Sequence, residues 1–217
     1  MIDSYRTAYG EGRGEIVEKK SRFIAEIFPV ETEEEAALIL ERVRKEYWDA
    51  RHHCWAYRIR GNPPCERMSD DGEPSGTAGK PILEVLRGRG LTDVLAVVTR
   101  YFGGTLLGTG GLVRAYTAAV TEGLARTDLI TRTRGMRLSI TTDYTSLGKI
   151  QYLAAGHGIC TEDTVYSDKV EMTVIVPGDT LPILQKEIRE GTNGQAVLEE
   201  KGECWLTKKE GTGKEET

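Results

Sequence analysis

The chain has 217 residues, of which 39% are hydrophobic and 29% are charged, and its formal net charge is −5. This balance excludes a disordered or fibrous chain, and no window approaches the roughly 18 uncharged apolar residues that a membrane span needs. Residues 1–10 are polar and show no secretory signal, and the four cysteines are dispersed, which favours reduced thiols over a disulfide framework. We therefore expect a cytoplasmic protein that contacts no membrane.

The first 130 residues alternate between strand and helix patterns. Thr32 is predicted to cap a helix whose first turn is acidic, and Pro81 opens a second, short helix. A polar loop is expected over Arg67–Gly79, and a third helix over residues 112–124. Extended or β-branched runs predict strands over Gly14–Val30, His52–Arg60 and Val94–Thr99.

The order of elements changes after residues 127–135, a mostly polar stretch that we expect to be a linker. Beyond it the predicted order is β-α-β-β-α-β, which is the ferredoxin-like order, and Asp179 is expected to cap its second helix. The six elements are Met136–Thr142, Tyr144–Ala155, Ile159–Tyr166, Val170–Val176, Asp179–Glu190 and Gln195–Glu200. The sequence therefore predicts an α+β protein of two domains, 1–130 and 131–207, with a disordered tail over 208–217.

A glycine-rich turn between Arg100 and Arg114 is the most informative segment. A buried strand runs into glycines and then into a helix, an arrangement that points backbone N–H groups outward and favours an anion at the helix start. Lys80 and the two arginines would add phosphate contacts, and residues 51–130 carry ten basic against eight acidic residues. The glycines of the candidate site are Gly103, Gly104, Gly108, Gly110 and Gly111. Alternatively, these glycines serve only close packing or positive φ angles.

The loop over residues 69–81 is a near match to a nucleotide phosphate loop. Pro74 and Pro81 occupy two positions that such a loop requires, which disfavours a nucleotide triphosphatase. Asp70, Asp71 and Glu73 are clustered but lack the spacing of a calcium loop, so a solvated loop is favoured over a cation site. The sequence therefore predicts no metal and no cofactor.

The segment His52-His53-Cys54-Trp55 holds the remaining candidates for chemistry. In a strand, His52 and Cys54 share a face but lie ~6.5–7 Å apart, beyond hydrogen-bond reach. A core cysteine beside a backbone-bonded histidine is favoured over a catalytic pair. The sequence thus offers only weak candidates for catalysis, which are His52, Cys54, Asp70 and Asp71. Trp55 and Phe102 have basic neighbours and could stack on bases, although aromatic residues in strands favour a core role.

Three segments together resemble the YigZ/IMPACT family: Asp49–Tyr57, Ser69–Pro81 and Val94–Gly108, of which the last is the most specific. The match continues through Gly111–Tyr116. The resemblance implies an N-terminal domain similar to domain IV of elongation factor G and to a ribosomal small-subunit protein domain. It also implies a C-terminal domain similar to the ferredoxin-like domains of the same factor. Eukaryotic IMPACT relatives regulate translation under amino-acid starvation by binding a ribosome-associated activator of a stress kinase.

These observations favour a non-catalytic, translation-associated protein that binds RNA or the ribosome through the glycine-rich basic region. A translation-regulating protein is a further expected partner. Two alternatives stay open: an enzyme acting on a small phosphorylated or acyl substrate through the 69–81 loop, and a protein-binding module acting through the C-terminal sheet. The sequence leaves the oligomeric state open.

Overall fold

The computed structural model describes residues 4–209. Contacts divide them into two compact units, one formed by residues 5–131 with 208–209 and the other by Ser4 with residues 132–207. This mixed α/β arrangement in two units confirms the predicted fold class. Within residues 4–209, no helix has both the length and the apolar character needed to cross a bilayer.

A five-stranded antiparallel sheet forms the centre of the first unit. After strand β1 (Ser4–Ala8), which belongs to another sheet, its strands are β2 (Gly12–Glu18), β3 (Ser21–Pro29), β4 (His52–Ile59), β5 (Cys65–Ser69) and β6 (Val94–Tyr101). Their spatial order is β2-β3-β6-β4-β5. The apolar run predicted as a buried strand is the central strand β6, whose first five residues have no exposed surface.

Three helices cover the two faces of this sheet: α1 (Glu33–Glu46), α2 (Gly79–Gly88) and α3 (Thr109–Ala125). Successive side chains of a strand point to opposite faces, so β6 contributes to two cores. Leu95 and Val97 pack with α1, whereas Ala96 and Val98 pack with α2 and α3. The side chain of Thr32 accepts a hydrogen bond from the Glu35 N–H, as the sequence predicts for the start of α1.

The second unit has the ferredoxin-like order of elements: β7 (Leu129–Thr142), α4 (Tyr144–Gly156), β8 (Thr161–Tyr166), β9 (Val170–Pro177), α5 (Leu181–Gly191) and β10 (Val197–Lys209). In its sheet β9 lies between β7 and β8, and β10 also pairs with β7. Leu138, Ile140, Met172 and Val174 form its core with apolar side chains of α4 and α5.

Several predictions of secondary structure are wrong. The expected linker is largely strand, because β7 begins at Leu129 and its alternating threonines and arginines suit a half-buried strand. The polar loop begins only after Ser69, since β5 pairs with β4 from Cys65 onward. The cap of α5 is Thr180, without a side-chain hydrogen bond, and is not Asp179.

Two strand predictions differ in extent. Gly14–Val30 is a hairpin of two strands, β2 and β3, joined by Lys19 and Lys20. Strand β10 extends beyond the predicted Glu200 to Lys209, and so includes the first two residues of the tail predicted over 208–217. The other residues of that tail, 210–217, lie outside the described residues.

Candidate functional site

The glycine-rich segment packs directly against the β2–β3 hairpin. The Gly103 N–H donates to Ser21 Oγ at 3.1 Å, so this backbone donor is used inside the protein. A Cβ at Gly103 would lie 2.0 Å from the backbone carbonyl carbon of Lys20, a distance that no side chain tolerates. The glycine at this position is therefore a packing requirement, as the alternative interpretation of the sequence held.

The start of helix α3 is open. Gly108 precedes the helix with φ +73°, and Gly104 also has a positive φ of +83°. No side chain in residues 4–209 caps this end, and the first turn, which contains Gly110 and Gly111, carries no acidic residue. The first N–H groups of a helix have no partner within it, and the helix dipole is positive there. This end of α3 therefore favours an anion.

Four exposed basic side chains surround this region, and we call Lys19, Lys20, Arg51 and Arg114 the basic rim. Arg114 Nη1 lies 3.6 Å from the position of a Cβ on Gly110, so its guanidinium group folds over the first turn of α3. Arg114 and Lys19 also line a cavity of about 240 Å³ with Gly111 and the carboxylate side chain of Glu18. Within the described part of the chain, no rim side chain makes a hydrogen bond or ion pair. The consecutive lysines between two extended runs could have been recognised as a hairpin turn.

The two other basic residues predicted for the site have different environments. Arg100 is only 6% exposed, and its Nη1 lies 2.5 Å from Glu73 Oε1 in a buried ion pair. Its Nη2 lies 3.4 Å from Ser21 Oγ. Lys80 is exposed on α2, 3.9 Å from Glu84, and does not line the cavity of about 240 Å³. The structure thus brings Arg114 to the glycine-rich turn but uses Arg100 to bind a carboxylate of the protein itself.

Cys54 and His52 do not form a catalytic pair. The Cys54 thiol has no exposed surface and lies 3.0 Å from the Asp70 carbonyl oxygen and 3.2 Å from Tyr116 Oη. Burial raises the pKa of Cys54 to about 12, so the reactive thiolate is absent at neutral pH. His52 Nδ1 lies instead 2.9 Å from the carbonyl oxygen of Asp71. This geometry provides no activated nucleophile.

The two aspartates of the acidic loop hold the loop in shape. The Asp70 carboxylate accepts hydrogen bonds from the N–H groups of Gly76, Ala78 and Gly79 at 2.7–2.9 Å. Burial would raise the pKa of Asp70, but these three donors outweigh it and lower the pKa. Asp71 Oδ2 accepts from the His53 N–H at 2.7 Å. In the range 4–209, no three His, Cys, Asp or Glu side chains are grouped closely enough to hold a metal ion.

A second cavity, of about 400 Å³, lies beside the start of α3. Its polar lining comes from Arg51, His52, Glu73 and Arg100, and its apolar lining includes Phe102, Leu106 and Leu112. Phe102 is 54% exposed, so the core role that we favoured for it is wrong. Phe102 follows the end of β6 and is no longer covered by the neighbouring strands. Trp55, in contrast, is partly buried and stacks on Tyr57 at 5.5 Å between ring centroids.

Comparison with known proteins identifies both halves of the chain. Residues 19–124 match the model of the Impact N-terminal domain, and residues 140–195 match that of a domain of unknown function, DUF1949. "IMPACT family member YvyE" of Bacillus subtilis is 41% identical over 208 residues, which cover 96% of each protein. "IMPACT family member YigZ" of Escherichia coli is 42% identical over 69% of this chain and 73% of its own.

A solved structure titled "Crystal structure of an hypothetical protein" is also similar, with 33% identity and a TM-score of 0.59. The match covers 91% of this chain and 97% of that one. These two sequence relatives are matched over most of their length, and both domain models match in the expected order. The chain therefore belongs to the IMPACT family.

Proposed function

We propose that this protein acts in the cytoplasm in the regulation of translation and contacts RNA or the ribosome through the basic rim and the start of α3. Membership of the IMPACT family supports the role in translation, and a translation-regulating protein is a further proposed partner. We propose residues 1–130 and 131–207 as its two domains. One observation carries the site: an uncapped helix start surrounded by four basic side chains that pair with no other residue between 4 and 209.

Phosphate groups match this arrangement in charge and in hydrogen bonding. Backbone N–H groups at a helix start bind phosphate oxygens, and lysine and arginine add charge that does not require a fixed sequence of bases. The proposed site keeps Gly104, Gly108, Gly110 and Gly111 for the backbone, and Arg114 for the side chains. Lys19, Lys20 and Arg51 are added to the residues predicted from the sequence. Arg100 does not contact phosphate in this site but holds Glu73 in a buried ion pair.

The net charge of −5 does not oppose this proposal. At physiological ionic strength, charges farther apart than about 8 Å are largely screened from each other. A phosphate group at the rim would therefore interact mainly with the rim itself and with the start of α3. Glu18 lines the cavity of about 240 Å³ and reduces its positive charge, whereas acidic residues farther away would have a weak effect.

A charge-removing variant that respects the hairpin geometry tests the site. The rim variant combines Lys19→Asn, Lys20→Gly and Arg114→Gln and removes three charges. Asparagine and glycine suit the positive φ angles of the turn, so the fold should be preserved. The matched control, Lys169→Gln with Lys186→Gln and Lys201→Gln, removes three exposed charges from the second unit. Binding to a fluorescein-labelled oligouridine is followed by anisotropy at several salt concentrations, and binding to purified ribosomes by co-sedimentation.

The rim variant should bind more weakly than the wild type, whereas the control should not. Each phosphate contact contributes about 0.7 to the slope of log affinity against log salt for a single strand. The rim variant should therefore show a slope about two units shallower. Equal binding by the two variants, or no binding of RNA or ribosomes by the wild type, would refute the proposal.

A further inference from the structure

Glu73 offers an unused acceptor to the cavity of about 400 Å³. Its side chain is only 4% exposed, and its Oε1 accepts hydrogen bonds from Arg100 Nη1 at 2.5 Å and Tyr116 Oη at 2.9 Å. Its Oε2 accepts no hydrogen bond from any donor in residues 4–209. Unlike Arg100 Nε, which is buried without a partner, Glu73 Oε2 retains some exposed surface. Because Arg100 already balances the charge of the carboxylate, a neutral N–H donor is sufficient to bind it.

His52 lines the same cavity and carries a second acceptor. Its Nδ1 lies 2.9 Å from the Asp71 carbonyl oxygen, so in the neutral ring this nitrogen carries the proton. Its Nε2 is then left with a free lone pair, and no residue in the described chain donates to it. The polar lining thus provides two acceptors beside Arg51 and Arg100, whereas the outer site, apart from Glu18, provides donors and positive charge.

Apart from Thr109, the rest of the lining is apolar or positive. Phe102 and Leu106 are 54% and 83% exposed and provide surfaces on which a flat ring can pack. Gly108 and Thr109, at the start of α3, line the cavity together with Arg51. The matching ligand is a planar ring with two N–H donors on one edge and an anionic group attached.

We propose that this cavity binds a guanosine 5′-phosphate unit, either as the free nucleotide or as one unpaired residue of an RNA strand. The RNA form rests on the proposed function. The guanine base places its N1–H and 2-amino donors towards Glu73 Oε2 and His52 Nε2 and packs its ring on Phe102. The phosphate group lies at the start of α3 beside Arg51.

The hydrogen-bonding edge of guanine distinguishes it from the other bases. Guanine has two adjacent donors on its base-pairing edge, whereas adenine and cytosine place a ring acceptor next to a single amino group. Uracil has one N–H between two carbonyl groups. A buried acceptor that faces another acceptor is left without a hydrogen bond, which weakens binding substantially when the acceptor is charged.

Short labelled oligouridines that carry guanine, inosine, adenine or uracil at one central position test this assignment. Inosine keeps the shape of guanosine but lacks the 2-amino donor. The guanine strand should bind at least about tenfold more tightly than the adenine strand, as for the loss of one hydrogen bond to a charged group, with inosine in between. Free guanosine 5′-monophosphate, but not adenosine 5′-monophosphate, should compete with the guanine strand.

Variants of the cavity should remove this preference selectively. Glu73→Gln and His52→Ala should reduce the guanine-to-adenine ratio, and Phe102→Ala should weaken guanine binding about fivefold or more through loss of stacking. Trp48→Ala is the control, because Trp48 is 81% exposed and lies outside the cavity. If Glu73→Gln does not fold, the exposed Phe102 and the partly exposed His52 still test the site.

The outcomes separate this inference from the proposed function. Equal binding of the four strands without competition by the free guanine nucleotide overturns the inference, and loss of uridine binding in the rim variant then leaves the proposed function standing. Binding of the free guanine nucleotide without any RNA or ribosome binding supports the cavity and refutes the proposed function. A guanine preference that persists in both Phe102→Ala and His52→Ala overturns the placement of the base.

Discussion

Replacing Arg100 with methionine should strongly destabilise the first unit. The side chains of Arg100 and Glu73 are 6% and 4% exposed and are joined at 2.5 Å. Arg100→Met keeps an unbranched side chain but removes the cation, which leaves the Glu73 carboxylate with the Tyr116 hydroxyl as its remaining donor among residues 4–209. Removal of one partner from a buried ion pair costs about 3–5 kcal/mol, and we expect a loss of this size in the free energy of unfolding.

Urea unfolding measures this loss if the two units are monitored separately. Trp48 and Trp55 lie in the first unit and Trp205 in the second, so in a Trp205→Phe background the tryptophan fluorescence reports on the first unit alone. This matters because a chain of two units need not unfold in a single transition. The double variant Arg100→Met/Glu73→Gln removes both charges and should recover about 2 kcal/mol or more.

Two results would contradict this reasoning. The first is a loss below about 1 kcal/mol for Arg100→Met, which is the range of exposed ion pairs. The second is a double variant that is no more stable than the single one, because the Glu73 carboxylate would then not depend on Arg100 for its burial. Either result would also mean that Arg100 does not neutralise the Glu73 carboxylate, as the guanine site requires.

Three further substitutions or measurements test other parts of the structure. Gly103→Ala should lower the free energy of unfolding by about 2 kcal/mol or more, because the new methyl group displaces the β2–β3 hairpin. Gly104→Ala has open space but φ +83°, and should lower it by about 1 kcal/mol. Equal losses in urea unfolding would contradict the packing at Gly103. Three N–H donors lower the pKa of Asp70, so its contribution to stability is present above about pH 4 and is lost as the pH falls through the lower folded pKa. The stability difference between wild type and Asp70→Asn should therefore shrink in acid, and a difference independent of pH would argue against this role. Cys54, with a pKa of about 12, should resist a thiol reagent at neutral pH until the protein unfolds, while the exposed Cys160 reacts at once. Mass spectrometry of the labelled native protein measures both, and modification of Cys54 would contradict the prediction.

The sequence predicts elements whose residues carry the information locally. Strand β6 is a continuous run of apolar and β-branched residues, and α1 has an acidic first turn with a threonine cap. The end of β10, in contrast, is mostly exposed and buries no continuous apolar face. It forms through backbone pairing with β7, which no local pattern indicates.

The same distinction applies to the candidate site. The glycines of the turn were recognisable because an unusual backbone needs glycine. The role of Arg100 was not, because its partner Glu73 is 27 residues away in a loop without a regular pattern. The residue type of Phe102 predicts a core position, and its exposure follows from the end of β6, which the residue type does not indicate.

The Lys19–Lys20 turn shows how folding and binding can place opposite demands on one position. Both residues are in the left-handed region, with φ of 45° and 66°, where a residue other than glycine costs about 1–2 kcal/mol. Selection for stability alone would favour asparagine and glycine at this tip. Under the proposed function, the hairpin accepts a strained backbone in order to keep two positive charges exposed, and a more stable version of the protein would be a weaker binder.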